Sequence, residues 1–146
     1  MGKITKISTA NMSREDWLVH RRQAIGGSDA ATILGLNPYA SPYTLWADKT
    51  SRLPVQPDNE AMRQGRDLEP YVVRRFEEAT SKRCRRVNAI LRNSDYPWAS
   101  ANIDRAIIGE PAGLECKTTS VLNLRKFRGG EYPDNYYCQS VHYLAV

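Results

Sequence analysis

An acidic residue and a Glu-x-Lys pair lie close together in the second half of this chain. Asp104 closes the apolar stretch Trp98–Ile103, and Glu115-Cys116-Lys117 begins eleven residues later. A β-strand projects alternate side chains to one face, so a strand through this segment points Glu115 and Lys117 the same way and Cys116 towards the core. If the two runs pair as a hairpin, Asp104 reaches the same spot. The spacing predicts two carboxylates and one ammonium at a sheet edge.

This combination of groups is what metal-assisted hydrolysis of a phosphodiester requires. Carboxylate oxygens hold a hard divalent cation, and a lysine orients or activates the attacking water. A solvated ion pair on a strand surface has the same spacing, and such pairs are common. Glu115-Cys116-Lys117 is nevertheless the only Asp-x-Lys or Glu-x-Lys sequence in the chain, and its neighbours are not those of an exposed charged edge. The pattern favours a nuclease.

Size and composition limit the classes of protein to which the chain can belong. Its 146 residues suit one domain with a hydrophobic core of ordinary size, so we predict a single domain over 1–146. No run approaches the roughly 18 apolar residues of a membrane span, and the first residues contain no apolar signal core. The cysteines have no metal-ligand spacing and are typical of reduced thiols. We therefore expect a cytoplasmic protein that does not associate with membranes.

The charge balance indicates a polyanionic partner. The formal net charge is +5, and fifteen of the 21 basic residues are arginine. Arginine forks match pairs of phosphate oxygens, which favours a phosphate-rich partner over an acidic protein surface. The sequence pI near 9.2 is consistent with nucleic-acid binding.

Helix and strand signals alternate along the chain without repeats, which predicts an α/β fold with a central mixed β-sheet flanked by helices. Helices are expected after the caps Ser13 and Ser41, over Ala30–Leu34 and over Asn59–Ala79, where Gly65 and Pro70 interrupt the pattern. Strands are expected over 85–91, over 98–104 and through Glu115, followed by a short helix near 121–127 and a last helix from Asn135, capped by Asp134.

Three residues on the predicted helices are candidates for the same site. Glu69 lies on the long helix, and Tyr136 and Gln139 lie one turn apart on one face of the last helix. Near a phosphate, a buried glutamine or tyrosine would position water or the scissile strand. Each residue also has an ordinary interpretation, as a surface glutamate, a core aromatic residue or a polar residue on a helix surface.

The turn Gly26-Gly27-Ser28 is a candidate anion site. Backbone N–H groups at a helix start, together with a hydroxyl, bind anions, and Arg21 on the preceding helix would complete such a site. An ordinary N-cap would use the same residues.

Several blocks of sequence, in order from Trp17 to the C-terminus, resemble the YqaJ family, which is related to lambda exonuclease in the PD-(D/E)XK nuclease superfamily. The blocks are Ile25-Gly-Gly-Ser-Asp-Ala-Ala31, Leu34-Gly-Leu-Asn-Pro-Tyr39, Ser41-Pro-Tyr-Thr-Leu-Trp46, Gly65-Arg-Asp-Leu-Glu-Pro70, Asn102-Ile-Asp104, Leu114-Glu-Cys-Lys-Thr-Thr119 and Tyr136-Tyr-Cys-Gln-Ser-Val-His-Tyr-Leu144. The resemblance implies a restriction-endonuclease-like core.

The resemblance also implies a metal site. Asp104 and Glu115 match the metal-binding acids, Glu69 matches an additional acid, and the Cys116 carbonyl matches a backbone ligand. Lys117 matches the catalytic lysine, which orients the water nucleophile and stabilises charge in the transition state. The implied cofactor is Mg²⁺, for which Mn²⁺ would substitute.

The remaining candidates match the neighbourhood of the bound DNA in this family. Gln139 and Tyr136 match active-site residues on the last helix. Arg21, Ser28 and Gly27 match the pocket that grips the 5′ phosphate of a DNA end. All of these roles are implied by the resemblance alone.

The activity implied is a 5′→3′ exonuclease that resects double-stranded DNA ends to 3′ overhangs for phage-type homologous recombination. A ring-shaped homotrimer and a single-strand annealing recombinase as partner are implied as well. An endonuclease on the same fold and a phage protein that binds DNA without cleaving it remain alternatives.

The chain departs from the family pattern in two respects. Asn102-Ile103 replaces the proline usual before the first acid. Members of the family also continue with further strands and a helix after the last helix. We therefore expect a partial domain that lacks its C-terminal strands and leaves a sheet edge open.

Overall fold

The computed structural model describes residues 2–146, except for the side chains of Val121, Leu122 and Leu124. The chain forms two compact units. The first contains the residues up to Val55 together with Asn88–Asn102 and Lys126–Val146, and the second contains Gln56–Val87 and Ile103–Arg125.

The described residues form both helices and strands, which confirms the mixed α/β class, but the expected alternation does not occur, because four helices follow β1 and five strands follow those helices. In chain order the elements are β1 (Ile4–Ser8), α1 (Arg14–Arg22), α2 (Gly27–Ile33), α3 (Pro42–Lys49), α4 (Glu60–Thr80), β2 (Cys84–Arg86), β3 (Ala89–Asn93), β4 (Tyr96–Ala101), β5 (Arg105–Ile107), β6 (Gly113–Leu114), a 3₁₀ segment (Val121–Gly130) and α5 (Asp134–Ala145).

The helix starts follow local capping chemistry. Ser13 Oγ accepts a hydrogen bond from the Asp16 N–H, as predicted, and Ser41 caps α3 with Pro42 at the first helical position. Two starts were predicted wrongly. α2 begins three residues earlier than Ala30, and Pro133 is the N-cap of α5, so that Asp134 is already in the first turn.

The strands form two separate three-stranded sheets in place of the central mixed sheet that we expected. The first unit contains the order β1-β3-β4 and the second contains β2-β5-β6, and every strand pair is antiparallel. One isolated parallel bridge joins Ile25 to Ala99. The predicted strand over 85–91 is interrupted at Asn88, whose φ of 45° lies in the left-handed region. The residues on either side of Asn88 therefore enter different sheets.

The core of the first unit lies where α5 meets β4 and α2. Ala99, Ala101 and Val146 are buried, and Leu91 and Tyr143 pack against them. Close contact between α2 and α5 requires a residue without a side chain on α2, and Gly27 provides it.

The second unit contains α4 and the sheet β2-β5-β6. The long helix forms as expected, and α4 runs from Glu60 to Thr80 without interruption at Gly65 or Pro70. The Cys84 N–H donates to Glu77 Oε1 over 2.7 Å and joins the start of β2 to α4. None of the described helices has the length and the apolar character needed to cross a membrane.

Candidate active site

The antiparallel pair β5–β6 positions the predicted acids. Arg105 lies opposite Leu114, so Asp104, immediately before β5, and Glu115, immediately after β6, are at the same end of the pair. The Cys116 N–H donates to Asp104 Oδ2 over 2.8 Å and closes this end. The hairpin that we expected between residues 98–103 and a strand through Glu115 does not form, and the shorter hairpin β5–β6 brings the two segments together instead. β4 ends at residue 101, Asp104 lies in a bend, and Glu115 and Lys117 follow β6.

Glu115 and Lys117 lie side by side, as predicted. Lys117 Nζ is 2.7 Å from Glu115 Oε1, and the two side chains are 35% and 22% exposed. The site is thus accessible at its lysine and more enclosed at its carboxylate.

Arg105 connects Glu69 to Asp104, and the sequence analysis did not identify this arginine as part of the site. Its buried guanidinium forms an ion pair with Glu69 Oε1 from α4 and donates to the Asp104 carbonyl over 2.8 Å. The sequence contains only one hint, which is the position of this arginine directly after the first acid. Burial of an arginine requires a nearby acceptor, and that acceptor is 36 residues away in the chain.

The acids influence one another electrostatically. Burial raises the pKa of Asp104, and the negative charge of Glu69 adds to that effect. The Cys116 N–H and the charges of Lys117 and Arg105 act in the opposite direction. An added cation reduces the repulsion between such carboxylates and stabilises their ionised forms.

The chemistry of the donors, although not their arrangement in the structure, suits a hard divalent cation. Asp104, Glu115 and Glu69 supply carboxylate oxygens, and the Cys116 carbonyl is a further oxygen donor of the kind that Mg²⁺ and Mn²⁺ accept. Within the described part of the chain, no three acidic, histidine or cysteine side chains surround a common point. Two of the carboxylates contact basic side chains instead, since Glu69 pairs with Arg105 and Glu115 with Lys117. A divalent ion would compete with these two cations for the carboxylates.

The predicted anion-binding residues are together in the first unit. Arg21 Nη2 donates to Ser28 Oγ over 3.2 Å, and its guanidinium lies 5.4 Å from the Trp17 ring centroid. The same nitrogen is 3.6 Å from Oδ1 of Asp29, which is buried. Arg21 itself is partly exposed and can contact a ligand.

Gln139 and Tyr136 also belong to the first unit. Gln139 is buried, and its Nε2 donates to Tyr143 Oη over 2.8 Å beside Gly27. The Tyr136 ring stacks on Phe127, with ring centroids 6.1 Å apart. Gln139 is therefore close to the predicted anion-binding turn, and its role, like those of the other candidates, stays a prediction.

Replacing Arg105 by methionine should lower the free energy of unfolding by about 2–4 kcal/mol, because Glu69 would lose its buried partner. Urea denaturation measures this change. Arg75, in an exposed pair with Glu78, is the matched control, and R75M should change stability by less than about 0.5 kcal/mol. Equal effects of R105M and R75M would contradict the prediction.

Replacing Gly27 by alanine should destabilise the first unit by about 1–3 kcal/mol, since overpacking forces a rearrangement. An added Cβ would lie 2.8 Å from Tyr143 Cζ and 2.9 Å from Gln139 Cγ. G26A is the control because the nearest atom to its Cβ is 3.5 Å away. Thermal unfolding of both variants tests the prediction, which would be wrong if G27A and G26A had the same melting temperature.

The Cys116 thiol should react slowly with alkylating reagents. Burial, with the nearby charges of Asp104 and Glu69, raises its pKa to about 11. The thiolate is the reactive form, so at pH 8 only about one thiol in a thousand is ionised, about 200-fold fewer than for an ordinary cysteine. Iodoacetamide labelling of the C84S/C138S variant, followed by mass spectrometry, measures the rate. Labelling as fast as that of free cysteine would contradict this expectation.

The fold is that of known exonucleases. Two crystal structures of the alkaline exonuclease LHK-Exo from Laribacter hongkongensis superpose on this chain with TM-scores of 0.69 and 0.65, at 19% and 20% identity. They cover 88% and 86% of this chain, and the chain covers 66% and 64% of them. This similarity establishes the restriction-endonuclease-like fold.

Sequence comparison then defines the family. Residues 16–146 match the YqaJ-like viral recombinase domain, and the chain belongs to this family. It is 49% identical over 138 residues to the protein YqaJ of Bacillus subtilis (strain 168), a match that covers 94% of this chain and 43% of YqaJ. A segment of 35 residues is 51% identical to protein D345L of African swine fever virus (strain Badajoz 1971 Vero-adapted), covering 24% of this chain and 10% of D345L. The chain thus spans less than half the length of these relatives.

Proposed function

We propose that the chain carries the active site of a metal-dependent deoxyribonuclease, which removes nucleotides from the 5′ ends of double-stranded DNA and leaves 3′ overhangs for recombination. Membership of the YqaJ-like recombinase family and the fold shared with an alkaline exonuclease support nuclease activity. The direction of digestion and the recombination role follow from the family resemblance and are part of the proposal.

The observation that carries the proposal is the end of the β5–β6 pair. Asp104 Oδ2 is fixed by the Cys116 N–H at 2.8 Å, and the adjoining residues form the Glu115–Lys117 contact at 2.7 Å. Two acids, a carbonyl and a lysine at one hairpin end form the donor set and the amine that phosphodiester hydrolysis needs. A surface ion pair alone would not account for the partly buried Asp104 beside it.

Each side chain has a role in the proposed reaction. Asp104, Glu115, Glu69 and the Cys116 carbonyl would hold Mg²⁺, which, when bound, neutralises phosphate charge and lowers the pKa of water. Lys117 Nζ would orient the attacking water and stabilise the negative charge that develops on the phosphate oxygens. Water attacks phosphorus, the P–O3′ bond breaks, and the departing 3′ oxygen takes up a proton, which releases a 5′-mononucleotide.

The residues of the first unit would recognise the DNA end. Arg21 and Ser28 are hydrogen-bonded to each other, and together they offer a guanidinium and a hydroxyl to a terminal phosphate. Gly27 would contribute its backbone N–H group, at the start of α2, to the same phosphate. Gln139 and Tyr136 would position the terminal nucleotide. The charge of +5, mostly from arginine, supports a DNA partner.

Digestion of three matched substrates tests the proposal. A linear 5′-phosphorylated duplex, labelled at either end, and a closed circle of the same sequence are incubated with Mg²⁺, Mn²⁺ or EDTA. The proposal predicts early release of the 5′ label, an intact circle and no reaction in EDTA. Cleavage of the circle would indicate an endonuclease, and a mobility shift without cleavage would indicate a DNA-binding protein. K117A, whose turnover should be at least about 100-fold lower, serves as the control for the chemical step.

The assembly and the partner remain proposals of the same kind. By family resemblance, we propose a ring-shaped homotrimer that acts in the cytoplasm with a single-strand annealing recombinase. Light scattering at increasing protein concentration measures the mass of the assembly. A monomer at all concentrations would contradict the trimer.

A further inference from the structure

Lys49, at the end of α3, is a buried lysine that the proposed mechanism does not use. Its side chain is 11% exposed. Its Nζ is 2.6 Å from Asp29 Oδ2 and donates to the carbonyl oxygens of Arg21 and Ala24, each over 2.8 Å. An ammonium has three N–H donors, so these acceptors use its full capacity. Lys49 is therefore not available to bind a ligand.

The acceptors of Lys49 belong to the end of α1 and the start of α2. The Arg21 and Ala24 carbonyls lie in and after the last turn of α1, where helix carbonyls have no partner within the helix. Asp29 lies in the first turn of α2 and also accepts from the Gly26 N–H over 2.9 Å. One lysine thus connects the segment that carries Arg21 to the segment that carries Ser28.

Two cations compete for Asp29. Lys49 is in close contact with Oδ2, whereas Arg21 Nη2 stays 3.6 Å from Oδ1 and donates to Ser28 Oγ instead. A carboxylate as buried as Asp29 needs a counter-charge. If Lys49 did not supply that charge, Arg21 would have to do so.

We propose that Lys49 is a positioning residue for recognition of the 5′ phosphate. By neutralising Asp29, it leaves the Arg21 guanidinium on Ser28 Oγ and available to a terminal phosphate. This inference rests on the proposed function, in which Arg21 and Ser28 bind the DNA end.

Two substitutions break the same ion pair but differ in their effect on Arg21. In K49M, Asp29 keeps its charge and draws Arg21 away from the phosphate. In D29N, the charge is gone, and the amide oxygen of asparagine can still accept from the Gly26 N–H. We expect the preference of K49M for a 5′-phosphorylated end to be about tenfold lower than that of the wild type, which is the amount that one charge-assisted contact contributes. D29N should keep the preference of the wild type within about twofold.

The measurement is fluorescence anisotropy with two duplexes that differ only in their 5′ phosphate, in EDTA so that no cleavage occurs. Circular dichroism verifies the fold of each variant. R21A should abolish the preference, and K82M, which breaks an exposed lysine–glutamate pair, should leave it unchanged. The double variant K49M/D29N buries no unpaired charge. Its preference for the 5′-phosphorylated duplex should therefore be at least about threefold higher than that of K49M.

The outcomes separate this inference from the proposed function. A wild type without any preference for the phosphate would overturn both. A preference that R21A abolishes but folded K49M retains would overturn the role of Lys49 alone. Equal losses of the phosphate preference in K49M and D29N would also overturn this role, and so would a double variant whose preference is no higher than that of K49M. A purely structural ion pair predicts both of these results. If K49M does not fold, D29N and the double variant are compared with the wild type directly. D29N should keep the preference within about twofold and the double variant within about threefold, and a larger loss in either variant would overturn the role of Lys49.

Discussion

Replacing Lys117 by alanine is expected to lower the turnover of DNA hydrolysis by about 100-fold to 1,000-fold, the loss observed when one preorganised group that stabilises a transition state is removed. Lys117 Nζ lies 2.7 Å from Glu115 Oε1, at the end of the hairpin that holds Asp104. Single-turnover digestion of a 5′-phosphorylated duplex measures the rate of the chemical step.

Metal affinity should respond differently in the same variant. Loss of Lys117 removes a cation that competes for Glu115, so Mn²⁺ should bind K117A at least as tightly as the wild type. K82A is the matched control, since Lys82 forms an exposed pair with Glu110 over 2.8 Å, and its turnover should not change. If K117A retained the wild-type turnover, the proposed mechanism would have to be abandoned.

Replacing Asp104 by asparagine is expected to weaken Mn²⁺ binding by at least about tenfold and to lower turnover by at least about 100-fold, because a carboxylate ligand is lost. The hairpin should survive, since the amide oxygen of asparagine can accept the Cys116 N–H in place of Asp104 Oδ2. Titration of Mn²⁺ followed by electron paramagnetic resonance measures the affinity without requiring activity.

The control for D104N is a carboxylate that lies outside the site. Asp67 is exposed on α4, two residues before Glu69, and D67N should bind Mn²⁺ as the wild type does. Unchanged Mn²⁺ affinity in D104N would mean that any metal binds elsewhere. Weak binding by D67N as well would point to a general effect of net charge.

Some contacts of the candidate site could be predicted from the sequence because they join residues that are close together in the chain. Glu115 and Lys117 are two residues apart, and the Asp104–Cys116 bond spans only 12 residues. The caps Ser13 and Ser41 accept hydrogen bonds from backbone N–H groups three residues away, and their positions were predicted correctly. Such contacts depend on backbone geometry that the neighbouring residues themselves determine.

The missed features depend on distant parts of the chain. β1 pairs with β3, whose residues lie 81 to 89 positions later, and the short sequence Ile-Thr-Lys-Ile-Ser of β1 carries a weak strand signal. The strand predicted over 85–91 divides at Asn88, because its two halves pair with different partners. The pattern of residues in a segment predicts that it is extended, but it does not predict which strand will pair with it in the sheet.

The sequence by itself determined the mixed α/β class and the helix caps Ser13 and Ser41, and it predicted the acids and the lysine of the candidate site. The caps and the Glu115–Lys117 pair depend on residues that are close together in the chain. Only the tertiary structure decided that Arg105 neutralises Glu69 and that Lys49 neutralises Asp29. A buried charge must find its partner wherever folding brings one, and the partners here are 36 and 20 residues away. No local sequence pattern specifies which residue will be the partner. The need for a partner arises only after the helices and strands have packed and have placed the charge in an interior of low polarity.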